Sequence, residues 1–256
     1  MLKGILLFCF YSLNSGKLLN MRDWILFVAF LGLALFSCSG NPKPGSEGYF
    51  SEEKFVDSLN AGTKGKTKVV FEKFRHSGNG DAYASIHFYD LKKTWVESKG
   101  SEFNIWELKN SFKFDKDGVS DLNVEIEDFN NDRFNDITYQ SAIAGRGGNI
   151  VMTLFVYDPK SKGFIHIKNS ERYPNLSYNA ELNCINSLIL TGSTTTEFLK
   201  IKKDSLDEFA RVEVSDTILV EEKDAAGKFR VIQKKRFLDS GEDFYRVFRN
   251  YKPLEY

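Results

Sequence analysis

The chain has 256 residues, 14% of them aromatic and 23 of them phenylalanine, which suffices for one or two domains around a sizeable buried core. Lysine plus arginine and aspartate plus glutamate number 35 each, so the formal net charge is zero. That balance excludes nucleic acid as a partner bound through phosphate neutralisation.

Residues 24–36, WILFVAFLGLALF, form a purely apolar run. It is too short for a comfortable membrane span and has the length of a signal-peptide core. It leads into LFSC, with Leu35 three residues before Cys38 and the small Ser37 directly before it. This pattern resembles the bacterial lipobox, in which the cysteine thiol is diacylated and becomes the new N-terminus. The resemblance implies that residues 1–37 are a lipoprotein signal peptide and that Cys38 is the lipid attachment site. It also implies a chain anchored by lipid in the bacterial cell envelope, at the outer membrane, facing periplasm or surface. Each buried methylene of an acyl chain contributes about 0.8 kcal/mol, and two chains make a stable anchor. The bulky Phe36 keeps an uncleaved anchor as the alternative, and Met1 and Met21 both suit as the start. From Cys38 onward the chain carries 32 basic and 34 acidic residues, still close to neutral. With Cys9 in the removed segment and Cys38 acylated, Cys184 has no intramolecular disulfide partner. Its apolar surroundings, LNCINSLIL, predict a buried, inert thiol.

Residues 38–49 contain SGNPKPGSEG, a Gly/Pro/Ser-rich flexible tether. Next, YFSEEKFVDSLN predicts one short N-terminal helix: Phe55, Val56 and Leu59 fall at i, i+1 and i+4, Ser51 can cap, and Glu52 and Glu53 suit a first turn. The remainder of the 50–256 domain reads as mainly β. Runs such as KTKVVFEKF, AYASIHFYDL, TWVESKG, FNIWELK, IVMTLFVYD, GFIHIK, SLILTG, TEFLKIK, RVEVSDTILVEE, KFRVIQKKRF and FYRVFRNY are rich in β-branched and aromatic residues and separated by turn signals. YDPKSKGF, with Pro159 and Gly163, and EKDAAGKFRV, with Gly227, predict hairpins. Without strand–helix alternation, the expectation is an antiparallel meander arranged as propeller-like sheets, a sandwich or a barrel.

The most specific motif is LNVEIEDFNNDRFNDI. Leu122, Val124 and Ile126 alternate with Asn123, Glu125 and Glu127, so this strand has one apolar face. Extending the alternation would send Asp128, Asn130 and Asp132 into that face, where unpaired carboxylates are very unfavourable, so the strand has to stop near Glu127. Residues 128–136 then offer oxygens at loop positions 1, 3, 5, 7 and 9: Asp128, Asn130, Asp132, the carbonyl of Phe134, and Asp136. Calcium takes six to eight oxygens from such a curled loop, so these five are the candidate metal ligands and calcium the expected cofactor. Phe129 and Ile137 would anchor the loop on the core. Arg133 stands at position 6, where glycine usually makes the sharp turn, and a left-handed conformation there costs it roughly 1–2 kcal/mol. A polar turn with Arg133 paired to Asp132 or Asp136 is therefore the competing reading. The upstream KFDKDGVSDL has Lys113 at position 1 and reads as an Asp-Gly turn between strands.

The order DLNVEIEDFNNDRFNDI, then AGRGGN, then LFVYDPKSKGF resembles the calcium-loop β domain of secreted bacterial proteins related to the FG-GAP and VCBS repeats. More narrowly it resembles the periplasmic lipoproteins typified by immunity proteins of the Xanthomonas type IV secretion system. The resemblance implies a calcium loop and inhibition of a lysozyme-like effector.

Signs of catalysis are sparse. His76, His87 and His166 are too scattered for a zinc-hydrolase helix, no G-x-S-x-G elbow is present, and GRGGN lacks the Lys-Ser/Thr of a phosphate loop. His87 and His166 read as satisfied sheet histidines. Trp95 and Trp106 read as strand packing, with a glycan platform as the alternative. The expected function is non-enzymatic: a lipid-anchored envelope binding protein, with an envelope protein such as a lysozyme-like enzyme as partner. The alternatives are a cell-wall or glycan-active enzyme and a purely structural envelope lipoprotein.

Overall fold

Alternating apolar side chains and short turns fold this chain into strands that each pair with their neighbour in sequence. The computed structural model describes residues 48–97, 100–236 and 251. The signal segment, Cys38, most of the tether, and the FYRVFRNY strand apart from Tyr251 lie outside these residues. The described residues form three antiparallel sheets. Sheet 1 comprises β1 (Tyr49–Asp57), β2 (Thr67–His76), β3 (Ala82–Val96) and β4 (Glu102–Lys116). Sheet 2 comprises β5 (Glu125–Glu127), β6 (Asp136–Ala144), β7 (Asn149–Asp158) and β8 (Gly163–His166). Sheet 3 comprises β9 (Leu176–Asn179), β10 (Cys184–Leu190), β11 (Thr194–Lys202), β12 (Ser205–Val214), β13 (Thr217–Lys223) and β14 (Phe229–Arg236).

The mainly β expectation holds, and the two hairpins predicted around Gly163 and Gly227 join β7 to β8 and β13 to β14. No sheet closes into a barrel; the meanders are open and packed face to face. Sheet 2 is the middle layer. From β7, Phe155 and Tyr157 point to one side and join Phe71, Ile86 and Phe88 of sheet 1. Met152, Leu154 and Val156 point to the other and join Ile185, Leu199 and Leu206 of sheet 3. This two-sided burial is why IVMTLFVYD is apolar nearly throughout instead of alternating. The outer face of sheet 3 carries a third cluster, with Phe198 fully buried and Tyr251 against it at 5.0 Å between ring centroids.

The short N-terminal helix is corrected: residues 49–57 are the edge strand β1. Phe55 lies opposite Phe71 of β2, with ring centroids 6.4 Å apart, while Val56 and Leu59 are exposed. Ser51 Oγ donates to Glu72 at 2.6 Å instead of capping a helix. A lone helix of this length is marginal in water, whereas pairing with β2 satisfies one whole edge of the backbone. TWVESKG does not begin a separate strand; its residues Thr94–Val96 are the end of β3.

Three asparagines tie sheets 2 and 3. Asn149 gives its amide N–H to Leu190 O at 2.8 Å and accepts Leu190 N–H at 2.9 Å. Asn169 does the same with Leu206, at 2.8 and 2.7 Å. Asn175 donates to Leu188 O at 2.8 Å and accepts Ile150 N–H at 3.0 Å. Each side-chain amide acts as an inserted peptide unit between layers, so AGRGGN is a structural connection ending in a tie.

Candidate functional site

The strand expected from Leu122 is shorter than its alternation suggests: β5 holds Ile126 alone, while Leu122 and Val124 precede it on irregular chain with Asn123 at a φ of 38°. All three pack in the first core cluster, and the strand stops at Glu127 as the burial argument requires. The chain then curls. Asp128 accepts Asp132 N–H at 3.1 Å on one oxygen and Arg133 N–H at 2.8 Å on the other. Asn130 Oδ1 also accepts Asp132 N–H, at 3.0 Å, and Asp132 Oδ1 accepts Phe134 N–H at 2.9 Å. Asn131 and Arg133 take left-handed conformations with φ of 59° and 77°. Arg133 therefore adopts the turn that glycine usually makes at position 6.

Asp136 is fully buried. It accepts Phe129 N–H at 2.9 Å and Tyr157 N–H at 2.8 Å, one on each oxygen. Burial pushes its carboxyl up to about 8, and the charges of Asp132 and Asp128 add to that rise. Burial also raises Glu127, with Glu125 and Asp128 contributing. Among the described residues no ion pair involves Asp128, Asp132 or Asp136, so Arg133 does not make the internal pair that a plain polar turn was expected to contain. Among the same residues no group of three or more His, Cys, Asp or Glu is close enough to hold a metal ion. The oxygens of the loop are directed to its own N–H groups. Each carboxylate oxygen nevertheless has a second lone-pair site, and such oxygens are the donor type that calcium takes.

The loop also joins the layers. Phe129 enters the cluster between sheets 2 and 3, while Phe134 packs against Tyr157 on the opposite side, at 5.4 Å. Gly62 N–H donates to Asn135 O at 2.8 Å, and Asn135 Nδ2 donates to Asn60 O at 3.0 Å. Residues 128–136 thus brace sheet 1 against sheet 2.

Several polar constellations escaped the reading of the sequence. At the end of sheet 1 where β1 begins, the buried Lys73 donates to Ser120 O at 2.8 Å and pairs with Glu52 at 2.9 Å. Lys116, also buried, donates to Ser120 Oγ at 2.6 Å, and burial lowers its pKa. The Asp-Gly turn of FDKDGVSDL serves this cluster: Asp117 accepts Ser120 N–H at 2.8 Å and Ile143 N–H at 3.0 Å. On sheet 3, burial pushes Glu197 up to about 7, helped by the charge of Glu208, whose own carboxyl burial also raises. His87 is the satisfied sheet histidine expected, between Ser85 Oγ at 3.0 Å and Ser111 Oγ at 3.1 Å. Cys184 is buried, and burial pushes its thiol up to about 11, so it is inert.

The expectation that Trp95 packs within its sheet is corrected. β2 ends opposite Asp90, and β3 continues with β4 alone as a two-stranded arm over residues 91–96 and 102–107, about 20 Å long at about 3.3 Å per residue. Trp95 is 54% exposed, and Phe103 and Ile105 are 53% and 46% exposed. A bulge at Lys92 leaves Lys93 opposite Ile105 and Trp95 opposite Phe103, so all four side chains share one face, with Lys93 Nζ 4.3 Å from the Trp95 ring centroid. That is the face that buries Ile86 and Phe88 farther down β3, continued beyond the end of sheet 2.

No protein-family model and no curated protein sequence matches the chain. Among solved structures, it is similar to a Xanthomonas type IV secretion system related protein, at 12% identity and a TM-score of 0.42, over 75% of this chain and 97% of that one.

Proposed function

We propose that this protein is a lipid-anchored binding protein of the bacterial cell envelope, without enzymatic activity, held by Cys38 and acting on an envelope protein such as a lysozyme-like enzyme. The observation that carries the binding reading is the β3–β4 arm, where two half-exposed aromatics and Ile105 form an apolar face on a rigid projection. Amphipathic aromatics of this kind dominate protein-recognition surfaces. The arm lies at the end of sheet 1 opposite Tyr49, where the tether joins, so a lipid anchor leaves it free to reach a partner.

In this reading calcium is a brace and the loop is not the binding surface. Asp128, Asn130, Asp132, Asp136 and the carbonyl of Phe134 would hold the ion, whose charge would offset the crowded carboxylates next to the core. Inhibition of a lysozyme-type muramidase by the purified chain, lost in Trp95→Ser, supports the proposal; unimpaired muramidase activity at saturating protein contradicts it.

A glycan-active enzyme is the second reading, favoured by the Glu197–Glu208 pair with raised carboxyls. Peptidoglycan turnover by the protein alone, abolished by Glu197→Gln, would establish it in place of the first.

A further inference from the structure

We propose that the free edge of β4 over residues 102–108 pairs with the same strand of a second copy of this chain, making one continuous sheet across a twofold axis at Asn104. β4 is the last strand of sheet 1, and beyond the body its outer edge has no partner strand among the described residues. Edge strands in solitary proteins are usually protected by charged side chains, above all lysine, or by proline, a bulge or a covering element, and the only charges over residues 102–108 are Glu102 and Glu107. Residues 102–108, EFNIWEL, contain no lysine or proline, and the bulge on β4 comes only after them, at Lys109.

The pairing places no like charges opposite one another. A twofold axis perpendicular to a continuous sheet keeps each side chain on its own face, so only residues of equal parity can stand opposite one another. Glu102 and Glu107 differ in parity and therefore never meet. With the axis at Asn104, Phe103 lies opposite Ile105 of the second copy, and Glu102 lies opposite its Trp106. Each cross-strand row then reads Trp95, Phe103, and Ile105 and Lys93 of the second copy, an aromatic and β-branched series of the kind that stabilises antiparallel pairs. The dimer doubles the apolar face without covering it, so this inference goes beyond the envelope-partner reading and stands independently of it. An edge of this size belongs with weak, reversible dimers.

The test uses the full chain in detergent. Sedimentation over a series rising from micromolar to millimolar concentration is expected to climb to twice the protein mass of one chain, and Asn104→Pro, which removes an N–H and blocks the edge, is expected to stay at the mass of one. In parallel, Asn104→Cys places two thiols directly opposite across the axis, and mild oxidation is expected to give a disulfide-linked dimer absent from the parent chain and from Lys113→Cys. A single-chain mass at these concentrations, or a dimer that persists in Asn104→Pro and does not cross-link through position 104, would overturn the proposal. Muramidase inhibition by a monomeric protein would do the same while leaving the binding function intact.

Discussion

The carboxylate of Asp136, at the head of β6, accepts the backbone N–H of Tyr157 in β7 at 2.8 Å, in a place with no solvent exposure. Its other oxygen holds Phe129 N–H, so one side chain fixes the loop's entry and a central strand together. Asp136→Ala would strand two buried donors, each worth about 1–3 kcal/mol. Urea unfolding should show a loss on the order of 2–5 kcal/mol. A midpoint that does not move would refute the bracing role.

Calcium should raise the melting temperature of the wild-type protein and leave Asp132→Ala unaffected. With affinity in the extracellular-module class of roughly 10⁻⁴–10⁻³ M, about 10 mM calcium would stabilise by about 1–3 kcal/mol. If neither chelation nor Asp132→Ala alters the transition, residues 128–136 are a turn and not a metal site.

Gly62 has a φ of +55°, and an added Cβ would lie 2.7 Å from the Tyr157 ring and 2.9 Å from Thr67 Oγ1. Tyr157 cannot retreat without breaking its contact with Thr63 Oγ1 at 2.9 Å. Gly62→Ala should therefore destabilise by more than about 2 kcal/mol through combined strain and overpacking. Equilibrium unfolding of this variant checks it, and a neutral result would mean that the joint between the 57–63 turn and Asn135 is loose.

Stability should fall as pH rises from about 4.5 to about 7. Glu197 is raised from 4.5 to about 7 and Asp136 from 3.8 to about 8, so the folded state holds both protons where the unfolded chain has released them. The stabilising difference is complete below the unfolded value and lost as pH passes the folded one. Glu208, Arg211, Arg172 and, through Tyr173, the neighbouring acids share this environment, so the titration belongs to the group. Glu197→Gln should lessen the slope between pH 5 and 7, leaving the share that belongs to Asp136, and raise the midpoint at pH 8. An unchanged slope between pH 5 and 7 would assign the titration elsewhere.

Local patterns made much of this architecture legible. Val69, Phe71, Ile86 and Phe88 alternate as half-buried strands do, and the run from Ile150 to Tyr157 reads as strand because both its faces are covered. β1 was misread because Phe55, Val56 and Leu59 mimic a helical spacing, and only the partner strand decides otherwise. β6 was missed because its interior mixes Thr138, Gln140 and Ser141 with its apolar residues, all of them buried. The turn geometry around Arg133 was legible from oxygen spacing, since it is local. The Asn149–Leu190 and Asn169–Leu206 ties were not, because their partners are 41 and 37 residues away. Nor was the exposure of Trp95, which depends on where β2 stops.

Binding of an envelope enzyme through the β3–β4 arm, the function proposed for this protein, can be tested directly. The most direct measurement is peptidoglycan turnover by a lysozyme-type muramidase, titrated with the wild-type chain and with the Trp95→Ser/Phe103→Ser double variant. The wild type is expected to suppress turnover, and the double variant to melt at the same temperature and no longer suppress it. Turnover unaffected by the wild type, or suppressed equally by both proteins, would contradict it.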